Sequence, residues 1–274
     1  MLTLEQALRC HSLPRLEARM LLQHVRPGLT HARMIADPDL PLTEGEAARF
    51  EQLAQRRLQG EPMAYLLGER EFYGRPFRVS PAVLIPRPET EHLVEAALQR
   101  VATLEPKSVL DLGCGSGAIA ITLALEAPAW QVQAVDLSPA ALEVASGNAQ
   151  QLGAEVQFHQ GSWYQPLAGQ GEFDLIVSNP PYIEQHDHHL DEGDVRFEPR
   201  MALTDEADGL MCLRAIIDGA PSRLKAGAWI MLEHGYDQGP AVRDLLRQAG
   251  LQQVETLADL AGLDRVTLGQ MPAP

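Results

Sequence analysis

From residue 107 onwards, short apolar runs alternate with amphipathic segments of helical period. Runs such as SVLDLG, QVQAVD and FDLIVSN are apolar at most positions, which is typical of strands buried on both faces of a sheet. Segments such as SPAALEVASGNAQQLG and DQGPAVRDLLRQAG repeat apolar residues every three or four positions, which predicts helices. This alternation indicates an α/β fold with a mainly parallel sheet covered on both faces.

Residues 1–68 follow a different pattern, which predicts a small helical bundle domain. Two segments open with the signature of a capping box, formed by Thr3 with Gln6 and by Thr43 with Glu46. Residues 69–90 contain EFYGRPFRVS and predict a hairpin and a linker, so that the α/β domain occupies residues 91–274. Between the two capped helices, LPRLEARMLLQHV predicts a helix with one apolar face, made of Leu13, Leu16, Met20 and Leu21.

Composition narrows the class of protein. The chain has 274 residues and is 45% hydrophobic, but it contains no apolar run of membrane-spanning length and no signal-peptide pattern. Its three cysteines are scattered, which favours a reducing compartment; we therefore expect a cytoplasmic protein with no membrane contact. The net charge is −15, residues 1–75 are neutral, and no basic stripe is evident, so direct nucleic-acid binding is not expected.

A glycine-rich turn follows the first strand of the alternating region. Gly113, Gly115 and Gly117 stand between a predicted strand and a predicted helix, where glycines permit a tight turn and close approach of a ligand. Asp136 ends the next strand, at a position suited to a ribose diol. A dinucleotide site is the competing interpretation. The G-x-G-x-G spacing and Asp111, which is acceptable near a cationic amino group, favour S-adenosylmethionine.

A second candidate site is SNPPY, which follows the buried run FDLIV. Pro180 biases Asn179 towards an extended conformation, and neither Pro180 nor Pro181 can donate to a ladder. The Asn179 side-chain carbonyl and the Pro180 main-chain carbonyl can then point together into a cleft, with the ring of Tyr182 beside them. Two convergent acceptors suit a planar –NH2 group, although a simple strand-ending turn is the alternative.

Methylation of a planar nitrogen explains this arrangement chemically. The nitrogen lone pair of an amide is delocalised, so the nitrogen is a poor nucleophile. Two acceptors hold both N–H groups and stabilise the positive charge that develops during transfer. Adenine in DNA, guanine in ribosomal RNA and glutamine in proteins all present such a nitrogen.

Six ordered segments carry a specific family resemblance. They are GEPMAYLLGEREFYG, LIPRPETE, SNPPYI, FEPRMAL, LEHGYDQG and DRVTLGQ. Together they resemble the bacterial N5-glutamine methyltransferases of peptide-chain release factors, from about residue 60 to the C-terminus. The glycine loop itself is similar to that of the seven-stranded Rossmann-like S-adenosylmethionine-dependent methyltransferases. The resemblance implies this fold for the catalytic domain, preceded by the helical bundle.

The resemblance also implies the reaction. The methyl group of S-adenosylmethionine passes to the glutamine of a Gly-Gly-Gln motif in release factors, leaving S-adenosylhomocysteine, without a metal. The alternative substrate is an adenine or guanine amino group in nucleic acid. Asn179, Pro180 and Tyr182 are implied to act on the glutamine amide, with Pro181 beside them. The residues implied to bind the cofactor are Gly113, Cys114, Gly115, Ser116, Gly117, Asp136, Trp163 and Asn179.

Three further features leave alternatives open. Arg87 either touches cofactor or substrate, or forms an ion pair with Glu89 or Glu91. The loop EQHDHHLDE, with His186 to His189, has a spacing that matches no standard metal-ligand set, and we expect it to help cover the substrate. Cys114 lacks a His or Lys neighbour, so we expect a small apolar filler rather than a nucleophile. The neutral helical domain is expected to dock the release factor.

Overall fold

The computed structural model describes residues 2–273, and the chain divides into two compact units between Glu69 and Arg70. The described residues of the N-terminal unit form five helices: α1 (Leu4–Arg9), α2 (Arg15–Val25), α3 (His31–Ala36), α4 (Glu44–Leu58) and α5 (Met63–Leu67). Both predicted capping boxes are present, at Thr3 and at Thr43. None of the helices within residues 2–273 combines the length and the hydrophobicity required to span a bilayer.

The expected apolar face of α2 is wrong at Leu16. This side chain is 56% exposed, whereas Ala18, Leu21 and Leu22 are buried in the core of the N-terminal unit. At 3.6 residues per turn, Leu16 lies about 140° around the helix from Leu21. It therefore remains on the surface.

The second unit begins within the first strand of a two-stranded hairpin, and a connection follows into the first helix of this unit. Strand β1 (Glu69–Phe72) pairs with β2 (Arg75–Arg78), as the sequence predicts. Phe72 and Phe77 meet edge to face, with ring centroids 5.9 Å apart, in the core of this unit. A short 3₁₀ turn, Pro88–Thr90, leads directly into α6 (Glu91–Arg100).

A seven-stranded sheet forms the centre of the second unit. Its order is β5-β4-β3-β6-β7-β9-β8; the first five strands in this order are parallel, and β9 is antiparallel to both β7 and β8. This confirms the expected Rossmann-like α/β fold. The strands are β3 (Ser108–Leu112), β4 (Gln131–Asp136), β5 (Val156–Gln160), β6 (Phe173–Ser178), β7 (Leu224–Glu233), β8 (Gln252–Ala258) and β9 (Asp264–Gln270).

Helices cover both faces of the sheet, which explains the continuous apolar runs of its strands. On one face, Val109 and Val177 pack with α6, α7 (Ala118–Glu126) and α8 (Pro139–Leu152). On the other, Leu110 and Ile176 pack with α9 (Met211–Gly219) and α10 (Gly239–Gln248). Neighbouring strand residues therefore enter opposite cores, and few strand positions remain polar.

The strand order reverses at β3, whose neighbours are β4 and β6. Ligands of open α/β sheets bind outside the carboxyl ends of the strands at such a point. Leu112 ends β3 opposite Ser178, the last residue of β6. The glycine loop and SNPPY consequently leave the sheet side by side.

Candidate active site

A cavity of about 450 Å³ lies at this edge of the sheet, within the usual size range of small-molecule sites. Eight of the sequence-predicted site residues line it, and the structure therefore brings the two candidate motifs together. Gly117, Pro180 and Tyr182 do not line it. The eight lining residues are Gly113, Cys114, Gly115, Ser116, Asp136, Trp163, Asn179 and Pro181.

The glycine loop is held by Asp136. The backbone N–H of Gly115 donates to Asp136 Oδ2 over 2.8 Å, and that of Ser138 donates to Oδ1 over 2.8 Å. Gly113 and Gly115 have φ angles of 73° and 53°, a region that favours glycine. Burial raises the pKa of Asp136, while these backbone donors oppose the shift. Each carboxylate oxygen retains a further acceptor site for a ligand hydroxyl.

Gly117 and Cys114 have packing roles within the loop. A Cβ at Gly117 would lie 2.8 Å from Ile121 Cδ1 and 3.2 Å from the Cβ of Ala145, so its absence lets α7 approach α8. Cys114 is buried, and burial raises the pKa of its thiol well above the usual value. The thiol therefore remains protonated, which fits a small apolar filler.

Trp163 stands over the loop. A Cβ built at Gly113 would lie 3.6 Å from Cζ3 of the indole ring, so ring and loop are in close apposition. The backbone of Trp163 has a φ of 46°, an uncommon conformation for a bulky residue. This conformation accompanies an indole that is only partly buried and that lines the cavity.

Asn179 is oriented by a residue of the connection before α6. Its Nδ2 donates to Thr90 Oγ1 over 3.1 Å, and Thr90 is buried. This bond directs the donor end of the amide towards Thr90. It leaves the side-chain carbonyl of Asn179 as an acceptor for a ligand in the cavity.

Pro180 and Tyr182 belong to the same motif as Asn179 but are not among the residues that line the cavity. Pro180 is buried, and the half-buried Tyr182 is held at two points. Its hydroxyl donates to Glu233 Oε1 over 3.5 Å, and its backbone carbonyl accepts from Gln238 Nε2 over 2.9 Å. Burial raises the pKa of Tyr182, so the phenol remains protonated.

Thr90 and Glu233 are functional candidates that the residue-by-residue interpretation of the sequence missed. Both lie in segments that carry the family resemblance, LIPRPETE and LEHGYDQG. No residue-type pattern distinguishes them from neighbouring acids and hydroxyls. Glu233 is 1% exposed, and burial raises its pKa to about 7.

The ion pair of Arg87 differs from the one expected. It pairs with Glu198 at 2.5 Å rather than with Glu89 or Glu91. Glu198 also accepts the backbone N–H of Ile85 over 3.0 Å, so it ties the loop after the hairpin to the segment after SNPPY. Arg87 also lines the cavity.

Asp111 departs from its expected position near a ligand. Its carboxyl is fully buried, accepts from the N–H of Ala120 over 3.1 Å, and is not part of the cavity wall. Within residues 2–273, its Oδ1 has no hydrogen-bond partner. Burial raises the pKa of Asp111 to about 7.

The histidine loop lies on the surface. Asp187, His188 and His189 bring one potential ligand atom each within 4.8 Å of the others. Asp187 Oδ1 already accepts from the backbone N–H of His189 over 2.9 Å and lies 2.6 Å from His189 Nδ1. These contacts account for the cluster as a local turn.

Comparison with known proteins gives the family. The Methyltransferase small domain family matches residues 90–195, and the PrmC N-terminal domain family matches residues 3–68. A release factor glutamine methyltransferase of Neisseria gonorrhoeae is 54% identical over 270 residues, covering 98% of both chains. One of Bordetella pertussis is 54% identical over 271 residues, covering 99% of this chain and 100% of the relative.

A solved structure supports the fold alone. The 16S rRNA N2 G1207 methyltransferase of T. thermophilus, in complex with AdoMet and guanosine, aligns with a TM-score of 0.56 and 20% identity. The alignment covers 74% of this chain and 49% of that one. The near-complete coverage at more than half identity decides the family: the chain belongs to the release factor glutamine methyltransferases.

Proposed function

We propose that this protein transfers a methyl group from S-adenosylmethionine to the side-chain amide nitrogen of the glutamine in the Gly-Gly-Gln motif of peptide-chain release factors. The observation that carries the proposal is the orientation of Asn179, whose donor end is bound to Thr90 while its carbonyl end is free for the cavity. Family membership selects glutamine among the planar nitrogens. Such a substrate places the enzyme in the cytoplasm.

The cavity suits the cofactor. Asp136, held by Gly115 and Ser138, can accept the ribose hydroxyls, and Trp163 offers a flat wall for the adenine ring. Gly113 and Gly115 let the backbone approach the methionine part closely. When bound, S-adenosylmethionine supplies an electrophilic methyl group on a sulfonium centre. The Asp111 carboxyl acts from behind the loop, through Ala120, rather than on the ligand.

The protein has two tasks in the transfer, orientation and charge stabilisation. The Asn179 carbonyl and the Pro180 main-chain carbonyl accept the two N–H groups of the glutamine amide and fix the plane of the nitrogen. They also stabilise the positive charge that grows on that nitrogen as the methyl group arrives. Tyr182, fixed by Glu233 and Gln238, presents its ring to the amide plane.

We also propose that the N-terminal unit docks the protein substrate. Leu16 and Ile35 are 56% and 68% exposed and line one surface groove of about 730 Å³. Arg15 and Arg19 lie at the same groove. Glu5 and Asp39 line it too, and Arg15 lies 3.6 Å from Glu5, so charges of both signs flank the apolar pair. Such a groove suits a partner surface that has an apolar patch with polar groups around it.

The direct test is transfer of labelled methyl from S-adenosylmethionine to an unmodified release factor. We expect label on the Gly-Gly-Gln peptide, and none when that glutamine is replaced by asparagine. Unmodified DNA and ribosomal RNA serve as competing substrates for the alternative reaction. Label on either nucleic acid, with none on the release factor, would overturn the proposal.

A further inference from the structure

Glu233 is a buried carboxyl group outside the cavity wall that the proposed mechanism uses only through Tyr182. It is the last residue of β7, is 1% exposed, and interacts with two hydroxyl groups of the site. One is the Tyr182 hydroxyl, 3.5 Å from Oε1. The other is the Thr90 hydroxyl, which favours the ionised carboxylate. Oε2 has no hydrogen-bond partner in the part of the chain that the structure describes.

Thr90 connects this carboxyl to the reacting site. Its hydroxyl oxygen accepts from Asn179 Nδ2 over 3.1 Å. A hydroxyl can accept and donate at the same time, so its own proton is free for another acceptor. The Thr90 hydroxyl favours the ionised form of the Glu233 carboxylate, so this carboxylate is the acceptor that we assign to its proton. Thr90 is 5% exposed, too buried for water to take this role freely.

The direction of this chain of hydrogen bonds decides which end of the Asn179 amide faces the cavity. If the Thr90 hydroxyl donated to Asn179 instead, the amide would turn and present its –NH2 group to the substrate nitrogen. Donor would then oppose donor, and the developing positive charge would lose its acceptor. A negative charge behind Thr90 prevents this reversal, because it holds the hydroxyl proton on the far side.

We propose that Glu233 is a positioning residue for methyl transfer: its carboxylate accepts the Thr90 hydroxyl and thereby keeps Thr90 an acceptor for the Asn179 amide. The same carboxylate accepts the Tyr182 hydroxyl and restrains the ring. The inference rests on the proposed transfer to a glutamine amide. It adds a buried carboxylate that acts on this site through Thr90 and Tyr182.

Several charged groups surround Glu233 and set its ionisation. Burial raises its pKa to about 7, Arg265 on β9 and the hydroxyls of Thr90 and Tyr182 oppose the shift, and Glu89 adds to it. Arg265 is shared with Asp259, at 3.2 Å. Because the ionised form orients Thr90, the rate of methyl transfer is expected to rise with pH through this range. Protonation removes the negative charge and lets the carboxyl donate to Thr90 in competition with Asn179.

The test compares Thr90→Val, Thr90→Ser and Glu233→Gln with the wild-type protein. Single-turnover methylation of a release factor gives the rate, and calorimetry with S-adenosylhomocysteine gives cofactor affinity. Thr90→Val is expected to lower the rate about tenfold or more, with cofactor affinity nearly unchanged. Thr90→Ser, which keeps the hydroxyl, recovers most of that loss. Glu233→Gln is expected to lower the rate and to flatten the rise with pH.

A matched control removes a different buried hydroxyl. Thr122 on α7 is fully buried, and its hydroxyl has no hydrogen-bond partner among the described residues. Thr122→Val should therefore leave the rate as in the wild type. Equal rates for Thr90→Val and the wild type, or an unchanged pH profile in Glu233→Gln, would overturn the role of Glu233. Absence of transfer by the wild-type protein would instead overturn the proposed function, so the two failures are distinct.

Discussion

The hydroxyl of Ser178 donates to the backbone carbonyl of Leu112 over 2.6 Å, across the pair of strands that carries the site. Ser178 and Leu112 are also opposite each other in the parallel ladder. The next residues along the two strands are Asn179 and Gly113, which both line the cavity. A single side chain therefore reinforces the alignment of the two motifs at the edge of the sheet.

Ser178→Ala is expected to lower stability by about 1 kcal/mol, since a buried hydrogen bond is lost and the Leu112 carbonyl loses a donor. The rate of methyl transfer should fall only a few-fold, because the chemical groups remain. Urea unfolding and single-turnover assays measure the two effects. A variant as stable as the wild type would show that the sheet alone maintains the alignment.

In contrast to Ser178→Ala, Asn179→Ala should act mainly on the rate of methyl transfer. Removing the side-chain carbonyl that accepts from the substrate amide is expected to reduce the rate by about 10²- to 10³-fold. Thr90 then loses its donor, but hydroxyls tolerate this at modest cost. Affinity for S-adenosylhomocysteine should change little, and calorimetry provides that check. A rate within a factor of about three of the wild type would exclude Asn179 from the chemistry.

Much of the fold is predictable from the sequence, because the burial of a strand or helix determines which of its positions are apolar and how they repeat. The runs SVLDLG and FDLIVSN are apolar on both faces, and the structure places them between two helical layers. Thr3 and Thr43 cap helices because a hydroxyl with a Gln or Glu three residues on satisfies local donors. These signals depend only on neighbours in sequence.

The site contacts that the sequence does not predict join residues that are far apart along the chain. Thr90 meets Asn179 across 89 positions, and Arg87 chooses Glu198, 111 positions away, over the acids beside it. Leu16 was misplaced for a different reason: Leu21 suggested a shared apolar face, but about 140° around the helix separates the two side chains. Only the folded chain reveals which carboxyl or hydroxyl completes a site.

Asp136→Ala is expected to act mainly on cofactor binding. The carboxylate holds Gly115 and Ser138 and is the proposed acceptor of the ribose hydroxyls, so its loss disorders the loop and removes ligand contacts. Affinity for S-adenosylhomocysteine should fall about tenfold or more. The Michaelis constant for the release factor should remain close to that of the wild type. If affinity is unaffected in calorimetry, the ribose assignment is incorrect.

The buried carboxyl of Asp111 predicts a pH-dependent stability. Burial raises its pKa to about 7, above its value in the unfolded chain, so the folded state retains a proton that the unfolded state releases. Its contribution to stability is therefore largest at low pH and is lost as pH rises towards 7.

Asp111→Asn removes this titration. Between about pH 5 and about pH 8, the wild type is expected to lose about 1 kcal/mol or more of stability that the variant does not lose. Urea unfolding at the two pH values measures the difference. Other carboxyls contribute equally to the pH dependence of stability in both proteins, so their contributions cancel in the difference. Parallel pH profiles would show that Asp111 is ionised in the folded state.

If the N-terminal unit docks the release factor, changes in its groove should affect methylation of the whole protein but not of a short peptide. The double variant Leu16→Ser with Ile35→Ser removes the exposed apolar pair of the groove without disturbing the buried core. We expect the Michaelis constant for a full-length release factor to rise about tenfold, since a central apolar contact is lost. The rate with a short Gly-Gly-Gln peptide should not change.

Leu58→Ser is the matched control, because Leu58 is also an exposed leucine of this unit but lies outside the groove. Equal losses in Leu58→Ser and the double variant, or equal losses with peptide and protein, would remove the groove from substrate recognition.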